Sequence, residues 1–364
     1  MHTATVLEYF LPSAPIRNLT PLGQGNINDT WRVDLQDGKK LVLQRLHPSV
    51  FPDPAAVMHN MRLVTNHLHR VTRSGPPVFF RLIGNPEGQD YFLDPAGYCW
   101  RLLTFIDNTR TLASLQTRQQ AEEIGRLLGQ FHLLVAGVAP ASLVDPLPDF
   151  HVTPRYLEHF DALADHARAS NAQEAYCQRV IAAERPTSGL LEEAREQLTL
   201  QVIHGDPKAA NVLFAADSDQ AISLIDLDTV KPGLLLHDLG DCLRSCCNRQ
   251  GEVHPDPDAT VFDPDFFEAL LAGYCQQAGH LLAATDRALL VTAVQLISFE
   301  LGMRFFTDHL SGDRYFKVSR PGLNLQRAII QFKLNQSIRD QQDNLDQRLR
   351  AIFSSHKDLA NPPF

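Results

Sequence analysis

Apolar and polar positions alternate through residues 17–46 in the manner of paired strands. Residues 17–22 lead into the turn-rich run Gly23-Gln24-Gly25-Asn26-Ile27-Asn28. Residues 30–35 alternate again, Asp37-Gly38 supplies a turn, and residues 41–46 follow. Asp53-Pro54 reads as a helix N-cap with proline at the first helical position, and predicts a helix to about Arg70. Pro76-Pro77 interrupts the chain, and residues 78–83, 90–94 and 98–105 read as further strands. Beyond residue 106 the period becomes helical. Thr117 and Gln120 have the spacing of a capping box, and Ile124, Leu127, Leu128, Phe131, Leu134 and Val135 follow at helical spacing. Residues 140–154 are proline-rich and predict an ordered loop. Helices are expected near 154–183, 190–199, 264–279, 285–310 and 323–353. The apolar segments 198–203 and 221–225 read as strands with a loop at each C-terminal end.

This pattern predicts an α+β, bilobal fold: a small β-rich lobe over residues 1–105 and a larger, mainly helical lobe over 106–364. A chain of 364 residues exceeds the ~250–300 at which a single core stops growing. Apolar residues make up 44% and charged residues 21%, as in ordinary globular chains. The net charge of −9 and the lack of basic tracts argue against a nucleic-acid partner. Apolar runs fall short of the ~20 residues that span a bilayer, and the first 15 residues hold no Lys or Arg, unlike a signal peptide. A cytoplasmic protein is expected, without membrane contact. Its six cysteines then read as free thiols in a reducing compartment. The alternative, a metal site from Cys242, Cys246, Cys247 and His237, has no CxxC pair behind it.

The strongest chemical signal is His204-Gly205-Asp206-Pro207-Lys208-Ala209-Ala210-Asn211-Val212-Leu213-Phe214, with Ile225-Asp226-Leu227-Asp228 downstream. Phosphoryl transfer from ATP needs a carboxylate to orient the accepting hydroxyl and oxygen ligands to hold Mg²⁺ on the phosphates. Asp-x₄-Asn places a base on a loop and an amide oxygen one turn later, and an aspartate ending the next strand can reach the same metal. A solvent-exposed acidic hairpin is the competing explanation. It does not account for two carboxylates at strand ends. Lys208 is placed either to neutralise the transferring phosphoryl group or to serve as an ordinary loop lysine.

These residues resemble the aminoglycoside phosphotransferase/choline kinase-like superfamily, with its His-Gly-Asp-x₄-Asn loop. They are most similar to its N-acetylhexosamine 1-kinase-like branch through residues 23–30, 43–46, 225–230, 237–241, 299–304 and 312–316. The resemblance implies a protein-kinase-like fold, ATP and Mg²⁺ as cofactors, Asp206 as catalytic base, and Asn211 and Asp226 as metal ligands assisted by Asp228. It makes His204 and Asp238 supports of the catalytic loop. It gives Gly23, Gly25 and Asn26 to the phosphates, although Asn28 stands where a third glycine belongs and a plain hairpin turn explains the run as well. It gives the backbone of Thr104 and Ile106 to adenine. The usual third-strand lysine is missing, and Gln44 or Arg45 is expected to replace it from opposite faces of the strand. The predicted helix after Asp53 holds no carboxylate to pair with such a cation.

Gly205, Leu227-Asp228 and the lack of Ala-Pro-Glu depart from protein kinases. Residues 298–333 hold three acids and six bases, a poor lining for a cationic acceptor. Arg304 and Tyr315 match the branch's sugar-contacting pattern, the alternative for Arg304 being a helix-surface pair with Glu300 at i, i+4. The expected activity is therefore transfer of the ATP γ-phosphoryl to a sugar hydroxyl, such as the anomeric hydroxyl of an N-acetylhexosamine. An aminoglycoside- or choline-type kinase and an inert nucleotide-binding regulator are the alternatives.

Overall fold

A computed structural model describes residues 3–23, 27–72, 75–164 and 169–355. The N-terminal region is an antiparallel sheet. It contains β1 (Ile16–Pro21), β2 (Asp29–Leu35), β3 (Lys40–Leu46), β4 (Leu82–Ile83), β5 (Tyr91–Leu93) and β6 (Cys99–Thr104), in the order β1-β2-β3-β6-β4 with β5 also on β6. Alternation sorts its faces. Val33, Leu35, Leu41, Leu43, Trp100 and Leu102 form one core with Val6, Leu7 and Phe10 of α1 (Thr3–Phe10). Val42 and Leu103 face the opposite core. α1 was not anticipated; its three core residues are too few to mark a helix in the sequence. α2 (Pro54–Val71) connects β3 to β4, and the Asp53 carboxylate caps it by accepting from Ala56 N at 3.1 Å.

The larger region begins after a short β7 (Thr109–Arg110) with α3 (Arg118–Val135). Thr117 Oγ1 accepts from Gln120 N at 3.2 Å, but the Gln120 side chain turns to Gln116 N, so the cap is one-sided. The expected helix at 154–183 is two, α4 (Thr153–Ala164) and α5 (Ala172–Glu184), and the one at 190–199 shrinks to α6 (Leu190–Glu193) and a single 3₁₀ turn. Two hairpin-like pairs follow: β8 (Leu200–Ile203) with β11 (Lys231–Leu234), and β9 (Val212–Ala215) with β10 (Ala221–Leu224) and β7. Next comes α7 (Leu235–Cys246), which was not anticipated although Leu235, Leu236, Leu239, Cys242, Leu243 and Cys246 recur at helical spacing; its polar positions are buried as well. α8 (Pro264–Ala278) and α9 (Ala284–Leu310) match expectation, while the last predicted helix breaks at Gln341 into α10 (Leu323–Asp340) and α11 (Gln342–Ser355). α9 alone among the described helices is long and apolar enough to cross a bilayer, but 72% of its apolar window is buried. The six cysteines are free and buried, and no cluster of metal-holding His, Cys, Asp or Glu side chains occurs among the described residues, contrary to the metal-site alternative at Cys242, Cys246 and Cys247.

The crossing of α3 and α8 is unusually close. A Cβ on Gly125 would lie 1.9 Å from Leu270 O, and one on Gly273 would lie 2.1 Å from Glu122 O. Backbone, not side chain, forms this contact, so neither site can relax cheaply. Alanine normally stabilises a helix interior relative to glycine by ~1 kcal/mol; here overpacking should win. Gly125→Ala is expected to lower Tm by roughly 3–10 °C in a thermal melt. An unchanged or higher Tm would show that the helices are not in backbone contact.

Candidate active site

The loop after β8 is held from beneath. Asp238, fully buried on α7, accepts from His204 N through Oδ2 and from Gly205 N through Oδ1, both at 2.7 Å. His132 of α3 places Nε2 2.9 Å from the same carboxylate, and its Nδ1 lies 3.0 Å from the Tyr274 hydroxyl of α8. Burial works to raise the Asp238 pKa, but the hydrogen bond and charge of His132, the charge of His204 and the backbone donor hold it below the ordinary carboxylate value. Gly205 sits at φ +88°, where a Cβ would meet Thr229 O at 2.6 Å, so glycine is required. His204 donates from Nε2 to Ile225 O at 2.9 Å and accepts Asp206 N at Nδ1, and burial keeps its pKa low. It thus ties the loop to the end of β10 and is arranged as a neutral ring.

Asp206 then projects with one oxygen engaged. Lys208 Nζ lies 2.5 Å from Oδ2 and Asn211 Nδ2 lies 3.2 Å from it. Asn211 Nδ2 also donates to Asp206 O at 2.8 Å, which turns the amide oxygen away from the loop backbone. Oδ1 makes no hydrogen bond with the described residues. Burial works against ionisation of Asp206, yet the Lys208 charge prevails and its pKa is lowered. Asp226 adopts φ 69°, ψ 63°, a left-handed conformation uncommon for a non-glycine residue. Its Oδ1 is buried without a partner. Desolvation, then repulsion from Asp228, push its pKa up to about 7. A buried, unpaired carboxylate oxygen beside a free amide oxygen fits a hard divalent cation.

Asp228 is differently placed. Asn28 Nδ2 donates to its Oδ2 at 2.7 Å, and Arg101 Nη2 lies 2.5 Å from its Oδ1. Arg101 also directs Nε and Nη2 to Gln44 Oε1 at 2.9 and 2.7 Å. Gln44 and Arg45, expected on opposite faces of β3, do lie on opposite faces. Gln44 is a neutral acceptor that orients Arg101, its register partner on β6. Arg45 lies on the α1 face, against Tyr98 and Trp100, and pairs with Asp29 at 2.5 Å. Asp228 is ion-paired with Arg101, whereas Asp226 has no ion pair among the described residues. At the connection between the two regions, Thr104 N donates to Arg81 O and Ile106 O accepts from Thr109 Oγ1, so these two backbone groups are already used. Gly23 adopts φ +75°; Gly25 and Asn26 lie outside the described residues.

On the far side of Asp206 stands Arg304 of α9. Its guanidinium carbon lies 4.9 Å from the Phe150 ring centroid, 5.0 Å from Tyr156, 5.6 Å from Phe316 and 5.8 Å from Tyr315. The helix pair with Glu300 does not form. Glu300 accepts instead from His151 Nδ1 at 3.2 Å and Thr153 Oγ1 at 2.9 Å, and His151 Nε2 lies 2.7 Å from Gly205 O. Burial would lower the His151 pKa, but Glu300 outweighs it and the shift is upward. Arg304 makes no hydrogen bond or ion pair with the described residues, and Asp206 is near enough for its charge to act on it.

The model of the phosphotransferase enzyme family, APH, matches residues 18–289. The chain belongs to the APH family. Solved structures of similar fold include a microcompartment-associated aminopropanol kinase, with a TM-score of 0.63 at 17% identity, covering 95% of this chain and 98% of that one. The amicoumacin kinase hAmiN, in complex with AMP-PNP, Ca²⁺ and Ami, gives 0.59 at 14% identity over 98% and 94%. Choline kinase from Cryptosporidium parvum gives 0.58 at 12% over 97% and 98%.

Within this APH chain the sequence motif brought Asp206, Lys208, Asn211, Asp226, Asp228, His204 and Asp238 together. It missed Arg101, His132 and His151, and gave Glu300 to Arg304 where the structure gives it to His151 and Thr153. Arg101 did leave a trace, a lone charge inside the apolar run Cys99-Trp100-Arg101-Leu102-Leu103. The raised pKa of Asp226 has a stability consequence. Its protonated form is favoured by folding; that contribution is complete below the unfolded value near 3.8 and is lost as pH rises through about 7. Asp226→Asn removes the loss. In the nucleotide-free protein the variant's Tm advantage should widen from pH 5 to pH 7 and stay level above pH 8. An advantage independent of pH, or none, would mean that Asp226 ionises freely in the folded state.

Proposed function

We propose that this chain is an ATP- and Mg²⁺-dependent kinase of a small-molecule hydroxyl, its acceptor a neutral sugar such as an N-acetylhexosamine or a related hexose. The observation that carries the acceptor class is Arg304: a cation without a carboxylate partner, boxed by aromatic rings, in the field of Asp206. Such a site repels an ammonium group. It suits a carbonyl or hydroxyl oxygen, read by paired guanidinium donors, and the rings of Tyr315 and Tyr156 suit a sugar face.

In this reading, residues 1–105 carry the nucleotide, and the Thr104–Ile106 backbone meets adenine through its remaining groups. The region from 106 to 364 carries the chemistry. Asp206 Oδ1 takes the acceptor hydroxyl's hydrogen bond and then its proton as the oxygen bonds to the γ-phosphorus, while the bond from that phosphorus to the β,γ-bridging oxygen breaks and ADP leaves. Lys208 holds the other oxygen, keeps the base ionised and offsets charge on the transferring group. Asn211 and Asp226 would hold Mg²⁺, which supplies charge neutralisation on the phosphates. Mg²⁺ commonly takes one or two protein carboxylates plus phosphate oxygens, in keeping with a site of this size. The assembled Asp206, Asn211 and Asp226 speak against an inert regulator.

A second acceptor class, amino alcohols, is favoured by the names of the similar structures, which include aminopropanol and choline kinases. A variant at Arg304 and a comparison of acceptors test the choice between them. Arg304→Ala should raise the KM of an N-acetylhexosamine by one to two orders of magnitude, from the loss of about 1.5–3 kcal/mol of charged hydrogen bonding. The KM for ATP should stay within about twofold. If wild type phosphorylates choline or aminopropanol but no hexose or N-acetylhexosamine, the sugar reading is wrong.

A further inference from the structure

The nucleotide phosphates need a cation from the N-terminal sheet, and the usual strand-β3 position holds Gln44. The other basic side chains of β2, β3 and the connection are engaged elsewhere. Lys40 pairs with Asp107 at 2.5 Å, Arg32 with Asp34 at 3.0 Å, and Arg45 with Asp29 on the α1 face. Arg101 remains. It is fully buried, shares the sheet face of Gln44, and reaches the metal loop at Asp228. Gln44 and Asp228 take Nε and Nη2 and so fix the guanidinium plane. Nη1 is buried and has no hydrogen-bond partner among the described residues. A buried donor left unmade costs free energy, and a buried ion pair contributes little stability by itself. Such an arrangement is explained by a ligand that completes it.

We propose that Arg101 is the phosphate-binding cation of this site, delivered from β6 instead of β3, with Nη1 donating to a phosphate oxygen of the bound nucleotide. This inference rests on the kinase reading above. A guanidinium suits the role, since its fork can serve Asp228 and a phosphate at once. It also accounts for the absence of a carboxylate on α2 after Asp53. The counter-ion of this cation comes from the metal loop, so Arg101 links the sheet, Asp228 and the nucleotide in one chain of charge.

The test measures binding of adenosine and of Mg·AMP-PNP to the full chain by calorimetry, for wild type, Arg101→Gln, Arg101→Lys and the double variant Arg101→Gln/Asp228→Asn. Losing one charge-assisted phosphate contact should weaken Mg·AMP-PNP by about tenfold to a hundredfold in Arg101→Gln. Adenosine affinity should stay within about twofold, because adenosine lacks phosphate, and Arg101→Lys should recover part of the loss. The double variant restores charge balance without restoring a donor to phosphate, so it should remain weak. Recovery in the double variant would show that Arg101 only neutralises Asp228, and the proposal fails. Equal losses for adenosine and Mg·AMP-PNP would assign Arg101 to lobe structure, and unchanged Mg·AMP-PNP binding would exclude phosphate contact; either overturns the proposal. Should wild type bind no Mg·AMP-PNP, the kinase reading falls with it, an outcome distinct from all of these.

Discussion

The carboxylate of Asp238 is the constraint on which the candidate site depends. Two consecutive backbone N–H groups, those of His204 and Gly205, converge on it at 2.7 Å in a place with no solvent. That geometry turns the chain after β8 so that Asp206 leaves the loop beside Lys208 and Asn211. Its own position is inherited: His132 touches it from α3 and Tyr274 touches His132 from α8. The glycine-lined crossing of those two helices therefore does more than fill the core. It sets the height at which the Tyr274–His132–Asp238 line meets the loop. His151 performs a similar service from above by bridging Gly205 O and Glu300.

Charge is distributed unevenly over this frame. Asp206 and Asp228 each have a cation within 2.5 Å. Asp226 has none, and is burdened with a left-handed backbone and a buried bare oxygen. Folding alone would favour an amide there. A divalent cation held there, as proposed, would reverse that preference. Arg304 is a cation in an aromatic box, with its helix neighbour Glu300 committed to His151 and Thr153.

What the sequence made legible was local. Strand alternation in β2 and β3, the Asp53 cap of α2 and the His-Gly-Asp loop each declare themselves within a dozen residues. The antiparallel sheet region and the mainly helical remainder follow from them. What stayed hidden required distant partners. Nothing near Arg101 names Asp228, 127 positions on, and only the register of β3 with β6 places it over Gln44. The ring box of Arg304 draws on Phe150 and Tyr156 from another segment. α7 does carry a helical period in Leu235, Leu236, Leu239, Cys242, Leu243 and Cys246, but only the packed structure shows that its polar face is buried too and holds the carboxylate that orders the loop.

The central claim is that Asp206 receives the proton of a hydroxyl attacking ATP. The most direct measurement is ³¹P-detected phosphate-ester formation with Mg·ATP and an N-acetylhexosamine, comparing wild type with Asp206→Asn, alongside Mg·AMP-PNP affinity for both. Asn keeps the shape and the contact with Lys208 but cannot accept a proton. The expected result is a kcat reduced by about 10²–10⁴ with nucleotide affinity retained. Ester formation by Asp206→Asn at a rate near wild type would contradict the account.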